Sequence, residues 1–382
     1  MKKLFNIALF AMGCLFLASC SDDEYVDKVN SVQVSEADTE IPAAGATKTL
    51  TVTGEGIQAE ADDAWLAVSV NGNTITATAD ANYSRESRHT FINIKAANGD
   101  FLKVNVSQLG AVFVLDAPAT IAYKDAATEA TYDFNTNLPV QVTTSDSWLK
   151  AKLVDGKLTI NADANETGSI RSGYVIYQAG TLADKIEVVQ GEMDKDIVGK
   201  YYILGGIDPD EEDPEKADVM FLTQLVKDET GAYSLDFPLD EWTLPVTVDD
   251  ATLSISIAGG QPMGMWRVYN ICSLIGDATA GSVTWNTAVT ITGSMKVYKD
   301  EAGSFVAAEF ADDGKWSGKV SDCFSLGAFT STTYSSSTFA GTLAFFTNVY
   351  LQEYNLAAGA PKMAKRSSAQ SYVLKTKYSA VK

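Results

Sequence analysis

Asp63-Ala64-Trp65-Leu66 returns as Asp146-Ser147-Trp148-Leu149, and Asp80-Ala81-Asn82 returns as Asp163-Ala164-Asn165 at the same spacing. That offset also carries Arg88 onto Arg171. After a one-residue gap, Val106-Ser107-Gln108 aligns with Val188-Val189-Gln190, each soon followed by glycine. Matches in fixed order over this distance indicate a duplicated domain, since the repeat exceeds a solenoid unit and is long enough to bury a sandwich core by itself. Leu50 and Val52, Ile92 and Ile94, and Leu102, Val104 and Val106 alternate with polar neighbours. Leu158 and Ile160, then Ile186 and Val188, do the same in the second copy. Period-two alternation puts one row of side chains on a core and the other in water. Asn71-Gly72 and Asp155-Gly156, at equivalent places, predict type I′ hairpin turns. Neither copy shows a helical period.

These residues resemble the BACON domain, an Ig-like sandwich module of exported Bacteroidetes proteins. The resemblance lies in Trp65-Leu66, Asn82 with Arg88, and Val104 to Gly110, then in Trp148-Leu149, Asn165 with Arg171, and Ile186 to Gly191. The first copy has one extra residue before its glycine, and the second has a shortened arginine loop containing Gly168 and Ser169. The resemblance covers about residues 28 to 191. It implies association with carbohydrate or mucin-type glycoprotein.

The N-terminus reads as a signal peptide over residues 1–19. Lys2 and Lys3 precede an apolar stretch from Leu4 to Leu17, and Leu17-Ala18-Ser19-Cys20 forms a lipobox. The apolar stretch is short for a membrane span, and acidic Ser21-Asp22-Asp23-Glu24 follows where a retained span carries basic residues. Acylation of Cys20 would anchor the chain to an outer membrane, cell-surface exposed, through residues 20–27 as a tether. The acidic tract is similar to that of surface-exported Bacteroidetes lipoproteins. A formal charge of −20 disfavours nucleic acid as a partner. With Cys14 in the signal and Cys20 lipidated, only Cys272 and Cys323 remain, either bridged or as two buried thiols.

The expected fold is all-β: sandwiches over 28–110 and 111–191, a polar joint at Met193-Asp194-Lys195-Asp196, and an antiparallel barrel or sandwich over 196–382. Strands are expected at Tyr201 to Leu204, Val219 to Val226, Leu253 to Ile257, Val283 to Val297 and Phe339 to Tyr350. Turns are expected at Asp228 to Gly231, Asp300 to Gly303 and Asp312 to Gly314. Trp242, Trp266, Trp285 and Trp316 lie in this region, where an exposed aromatic could stack on a sugar ring. Trp266, beside Arg267 and Tyr269 and after the glycine-rich Gly259 to Gly264 loop, is the expected exposed platform, with Trp242 as a second contact. Trp65 and Trp148 read as core anchors.

Asp208-Pro209-Asp210-Glu211-Glu212-Asp213-Pro214 gathers carboxylates but lacks the alternation and central glycine of an EF-hand loop. It reads as a solvated loop, and no metal or cofactor is assigned. Lys362, Lys365, Arg366, Lys375, Lys377 and Lys382 form an acid-free tail that could pair with the acidic remainder. The only histidine is His89, on a sandwich strand, and motifs for serine hydrolases, zinc proteases and nucleotide enzymes are missing. The expectation is a non-catalytic glycan or mucin binder. The alternatives are a spacer presenting a C-terminal binding head and, less favoured, a glycoside hydrolase using two carboxylates. The pattern specifies no oligomeric state.

Overall fold

The computed structural model describes residues 30–300, 303–355 and 374–381. The signal segment, Cys20 with its tether, and Lys362, Lys365, Arg366 and Lys382 lie outside the described residues. The described residues divide into two compact units, split between Gly110 and Ala111.

In the first unit, strands Val34–Ala37, Ala46–Val52, Thr74–Ala79 and Leu66–Asn71 form one sheet. Glu40–Ile41, Phe101–Gln108, Arg88–Lys95 and Gln58–Ala61 form the other. Between them Leu50, Ile75, Ile92, Ile94 and Val106 are fully buried. Each such burial contributes about 1.5–3 kcal/mol. The alternation seen in the sequence therefore decides which face of each strand points inward.

Residues 113–190 repeat this plan. Leu149–Val154, Lys157–Ala162, Thr128–Thr136 and Phe113–Asp116 face Thr120–Tyr123, Leu182–Gln190, Arg171–Ala179 and Gln141–Thr144. In both sandwiches a short early strand pairs parallel with the last one, Glu40 opposite Ser107 and Thr120 opposite Glu187. The two hairpin turns differ. Asp155 and Gly156 both take positive φ, as a type I′ turn requires. Asn71 stays in its strand opposite Thr74, and Gly72 alone turns at φ 58°, so the expected type I′ geometry is absent there.

The C-terminal region is one mainly antiparallel sheet. Its path runs open from Ala311–Asp312 to Ser379–Val381, so it is not a closed barrel. Tyr201–Ile207, Asp218–Lys227, Ser254–Ala258 and Phe339–Glu353 lie close to the expected strands, whereas Val283 to Val297 breaks into three short ones. Tyr269–Asp277 and Cys323–Phe329 are covered on both faces. Ile271, Ile275, Phe324 and Leu326 enter the main core, while Cys272, Leu274 and Cys323 enter a second cluster with Phe345 and Tyr378.

The expected polar joint is instead a buried connection. Met193–Ile197 forms a single π-helical turn, and Met193 and Ile197 enter the main core together with Ile170 and Val189 of the second sandwich. Polar contacts tie down its flanks. Met193 N donates to Asp250 (3.1 Å), Lys124 pairs with Asp250 (2.7 Å), and Lys227 and Tyr233 both bond Asp194. The sequence shows the charges of this segment; it does not show that the two apolar residues flanking them meet one core.

Candidate functional site

The residues that reveal the duplication hold each sandwich together. Arg88 lies over the Trp65 ring (4.4 Å) and its Nε donates to Gln108 (2.9 Å), whose amide donates to the carbonyls of Pro42 and Asp80. Arg171 lies over Trp148 (4.2 Å) and its Nε donates to Gln190 (3.0 Å), whose amide reaches the carbonyls of Lys124, Asp125 and Ala126. Asn82 and Asn165 donate to carbonyls of their own loops, Glu86 and Ser169. Buried amides without such partners would cost about 1–3 kcal/mol each. Trp65 and Trp148 pack at the core margin as half-buried lids, less deeply than an anchor reading implies.

The expected platform at Trp266 is overturned. Trp266 is 6% exposed and Trp242 2%, and both belong to the main core. In strand Pro262–Trp266 the inward side chains are Met263 and Trp266, while Met265 points out. Trp266 stacks on half-buried Tyr269 (6.1 Å between centroids) beneath Arg267 (4.3 Å), and Trp242 Nε1 donates to the Met265 carbonyl. The glycine-rich segment before it is packed: a Cβ on Gly260 would overlap the Trp285 carbonyl. Trp285 is buried, leaving Trp316 half-buried beside Lys319.

A different surface carries half-buried aromatics. Hairpin strands Lys296–Asp300 and Gly303–Glu309 pair, and the second also pairs with Phe339–Glu353. Tyr298 sits opposite Phe305, Ala307 opposite Gln352, and Glu309 opposite Tyr350, all on one face. Val306 and Ala308 alternate with them into the main core. The result is an open cleft of about 480 Å³ lined by Tyr298, Phe305, Glu309, Asn348, Tyr350 and Gln352, with buried Ala307 as its floor. Tyr298 and Phe305 lie nearly parallel, 5.8 Å apart at 15°. A second cleft of about 490 Å³ continues past Phe305, walled by Lys200, Tyr201, Ser304, Glu353, Tyr354 and Asn355.

Several local features shape this groove. Gly205 faces Tyr350, and a Cβ there would collide with the phenol ring. Asn348 adopts φ 51°, a left-handed conformation that asparagine tolerates, and lines the cleft. Burial raises the phenol pKa of Tyr298, with nearby Glu309 adding to it, and burial likewise raises that of Tyr350. Both hydroxyls thus stay protonated donors at neutral pH. Lys296 bonds Glu187 (2.7 Å) and Val297 N donates to Ser172 (3.2 Å), fixing the hairpin against the second sandwich. The signal was present in the sequence: once the strands ending at Asp300 and starting at Gly303 pair, Tyr298 lies across from Phe305.

The acidic segment has internal partners. Asp208 bonds Lys375 (2.6 Å), while Asp210 bonds Lys377 and Tyr378 (2.5 Å each). Burial would raise the Asp210 pKa, but Lys377 and Tyr378 outweigh it and the group stays below the ordinary range. These carboxylates hold Lys375, Lys377 and Tyr378, in line with the expected pairing of basic tail residues with acidic ones. Among the described residues no group of three or more metal-ligating side chains is found. Cys272 and Cys323 are buried free thiols. Cys272 faces Gly327 while Cys323 faces Gly276, a four-residue offset of about 13 Å along the strands, beyond the reach of a disulfide. Burial pushes the Cys272 thiol up to about 12.

Two facing four-stranded sheets, repeated with the same strand order, define the N-terminal modules as Ig-like β-sandwiches. They are BACON domains: that family, described as "Putative binding domain, N-terminal", matches residues 55–109 and 138–191. No curated protein matches the chain. Among solved structures, a Bacteroides ovatus GH5 xyloglucanase in complex with a XXXG heptasaccharide shares 24% identity over 20% of this chain, with a TM-score of 0.19. The chain spans 18% of that enzyme's length. The I9-I11 tandem from titin shares 6% identity, covering 78% of this chain and 94% of its own, with a TM-score of 0.30. An I67-I69 titin variant shares 9% identity, with 53% and 92% covered and a TM-score of 0.26.

Proposed function

We propose that the chain is a non-catalytic carbohydrate binder at the cell surface, tethered to an outer membrane through a lipid on Cys20. The groove along Tyr298 and Phe305 is its glycan-contacting face, and the sandwiches support it. The observation that carries this reading is the row of half-buried aromatics interleaved with Glu309, Asn348 and Gln352 along one cleft. Aromatic faces take the C–H side of a sugar ring, while a few placed polar groups orient its hydroxyls. The supporting role of the sandwiches is favoured by their repeated Trp, Arg, Gln and Asn side chains, which bond within each module.

The purified full chain, tested on a panel of glycans and mucin glycoproteins, is expected to bind glycan and release no reducing sugar. Phe305→Ala is expected to lose at least tenfold in affinity, about 1.4 kcal/mol. Undiminished binding by that variant would move the site elsewhere, and sugar release would revive hydrolysis. For the anchor, mass spectrometry of protein from native cells is expected to find an acylated Cys20. An unmodified residue there would remove the tether.

A further inference from the structure

Charge distinguishes the glycans this groove can accept. Among the described residues lining the first cleft, Glu309 carries the only charge, and it is exposed. In the second, Lys200 is matched by Glu353 at 3.3 Å and also bonds Ser169. Lys296, at the groove's edge, is bonded to Glu187. Among the described residues lining either cleft, Lys200 is the one cation and it has a carboxylate partner, and the chain as a whole carries −20. Sulfate and carboxylate groups are recognised through charge-assisted bonds from Arg or Lys, and the one described lining cation, Lys200, is already held by Glu353.

The geometry adds a length requirement. Phe305 lines both clefts, so it stands as a ridge between two adjoining spaces, with Tyr298 and Tyr350 on one side and Tyr201 and Tyr354 on the other. Each volume falls within the range of about 300–1,000 Å³ typical of a ligand pocket. A single sugar ring fills one side only. Resting on the glycan-binding reading above, we propose that the groove takes a neutral, linear oligosaccharide that crosses Phe305, and that it discriminates against sulfated and sialylated chains.

Titration calorimetry on the full chain tests this with a neutral oligosaccharide series from mono- to tetrasaccharide and with sulfated and sialylated counterparts of the bound member. Affinity is expected to rise at least tenfold between monosaccharide and the first chain that reaches both clefts. The anionic counterparts are expected to bind about tenfold more weakly at low salt. Raising the salt, or substituting Glu309→Gln, should narrow that gap, because exposed charges are screened. Ala307→Leu, which fills the floor of the first cleft, should abolish the length gain and leave weak monosaccharide binding. Equal or stronger binding of anionic chains, or a flat length series, would overturn the assignment while leaving glycan binding intact. Absence of any glycan binding would sink the function and the assignment together.

Discussion

Gln108→Ala and Gln190→Ala remove the same side chain from two copies of one domain, and they should have unequal thermal consequences. Gln190 is fully buried, accepts from Arg171 and donates to backbone carbonyls; Gln108 does the same work with Arg88, Pro42 and Asp80. Each truncation strands a guanidinium hydrogen and buried carbonyls, a loss of about 3 kcal/mol. A loss of about 3 kcal/mol lowers Tm by about 12–24 °C in a domain of 60–100 residues, but by about 6–12 °C in one of 150–250 residues. The first sandwich is a compact unit by itself, whereas the second, besides its own core, contributes Ile170 and Val189 to a core shared with Met193, Ile197 and the C-terminal sheet. Differential scanning calorimetry of the full chain is expected to show Gln108→Ala moving a small-domain transition far and Gln190→Ala moving a larger transition less. Equal drops, each with the enthalpy of a single sandwich, would refute the shared core.

Thiol reagent is expected to leave Cys272 and Cys323 unmodified in the native protein and to count both after denaturation; fast native labelling would contradict their burial. Asp196 is buried, accepts from Glu192 N and has a pKa raised mainly by desolvation. Folding is therefore penalised above its folded pKa and relieved as pH falls through it. Asp196→Asn is expected to raise Tm at pH 7 and flatten that dependence, and a lower Tm would reverse the sign. Tyr378 stacks on Phe345 at 3.7 Å with its hydroxyl on Asp210, so Tyr378→Ala should cost about 3 kcal/mol in urea denaturation and expose Cys323 to reagent. The depressed pKa of Asp210 stabilises the fold above pH about 4 and is lost as pH falls through the folded value. Asp210→Asn should remove part of the acid sensitivity; an unchanged pH profile would detach the tail from it.

The two sandwiches were legible because their information is local. Alternation at Ile92, Ile94 and Val106 fixes which face is buried, and the duplication of Trp65 with Arg88 marks side chains that bond each other. The tryptophan platform was misread because exposure is not a local property. Trp266 follows glycine and proline, as a loop residue would, yet strand pairing of Trp266 with Tyr269 turns its ring inward. The groove escaped notice because Phe305 and Tyr350 are distant in sequence and become neighbours only when their strands pair.

The amino-acid sequence alone determined the β class, the duplicated sandwiches and their inward faces, since strand period and repeated motifs are carried by neighbouring residues. Only the tertiary structure decided that the C-terminal sheet stays open, that Met193 and Ile197 join it to the second sandwich, and that Cys272 and Cys323 lie too far apart to bridge. It also decided that Asp208 and Asp210 pair with Lys375 and Lys377. These outcomes depend on register between strands far apart in the chain, which side-chain packing sets across the whole core.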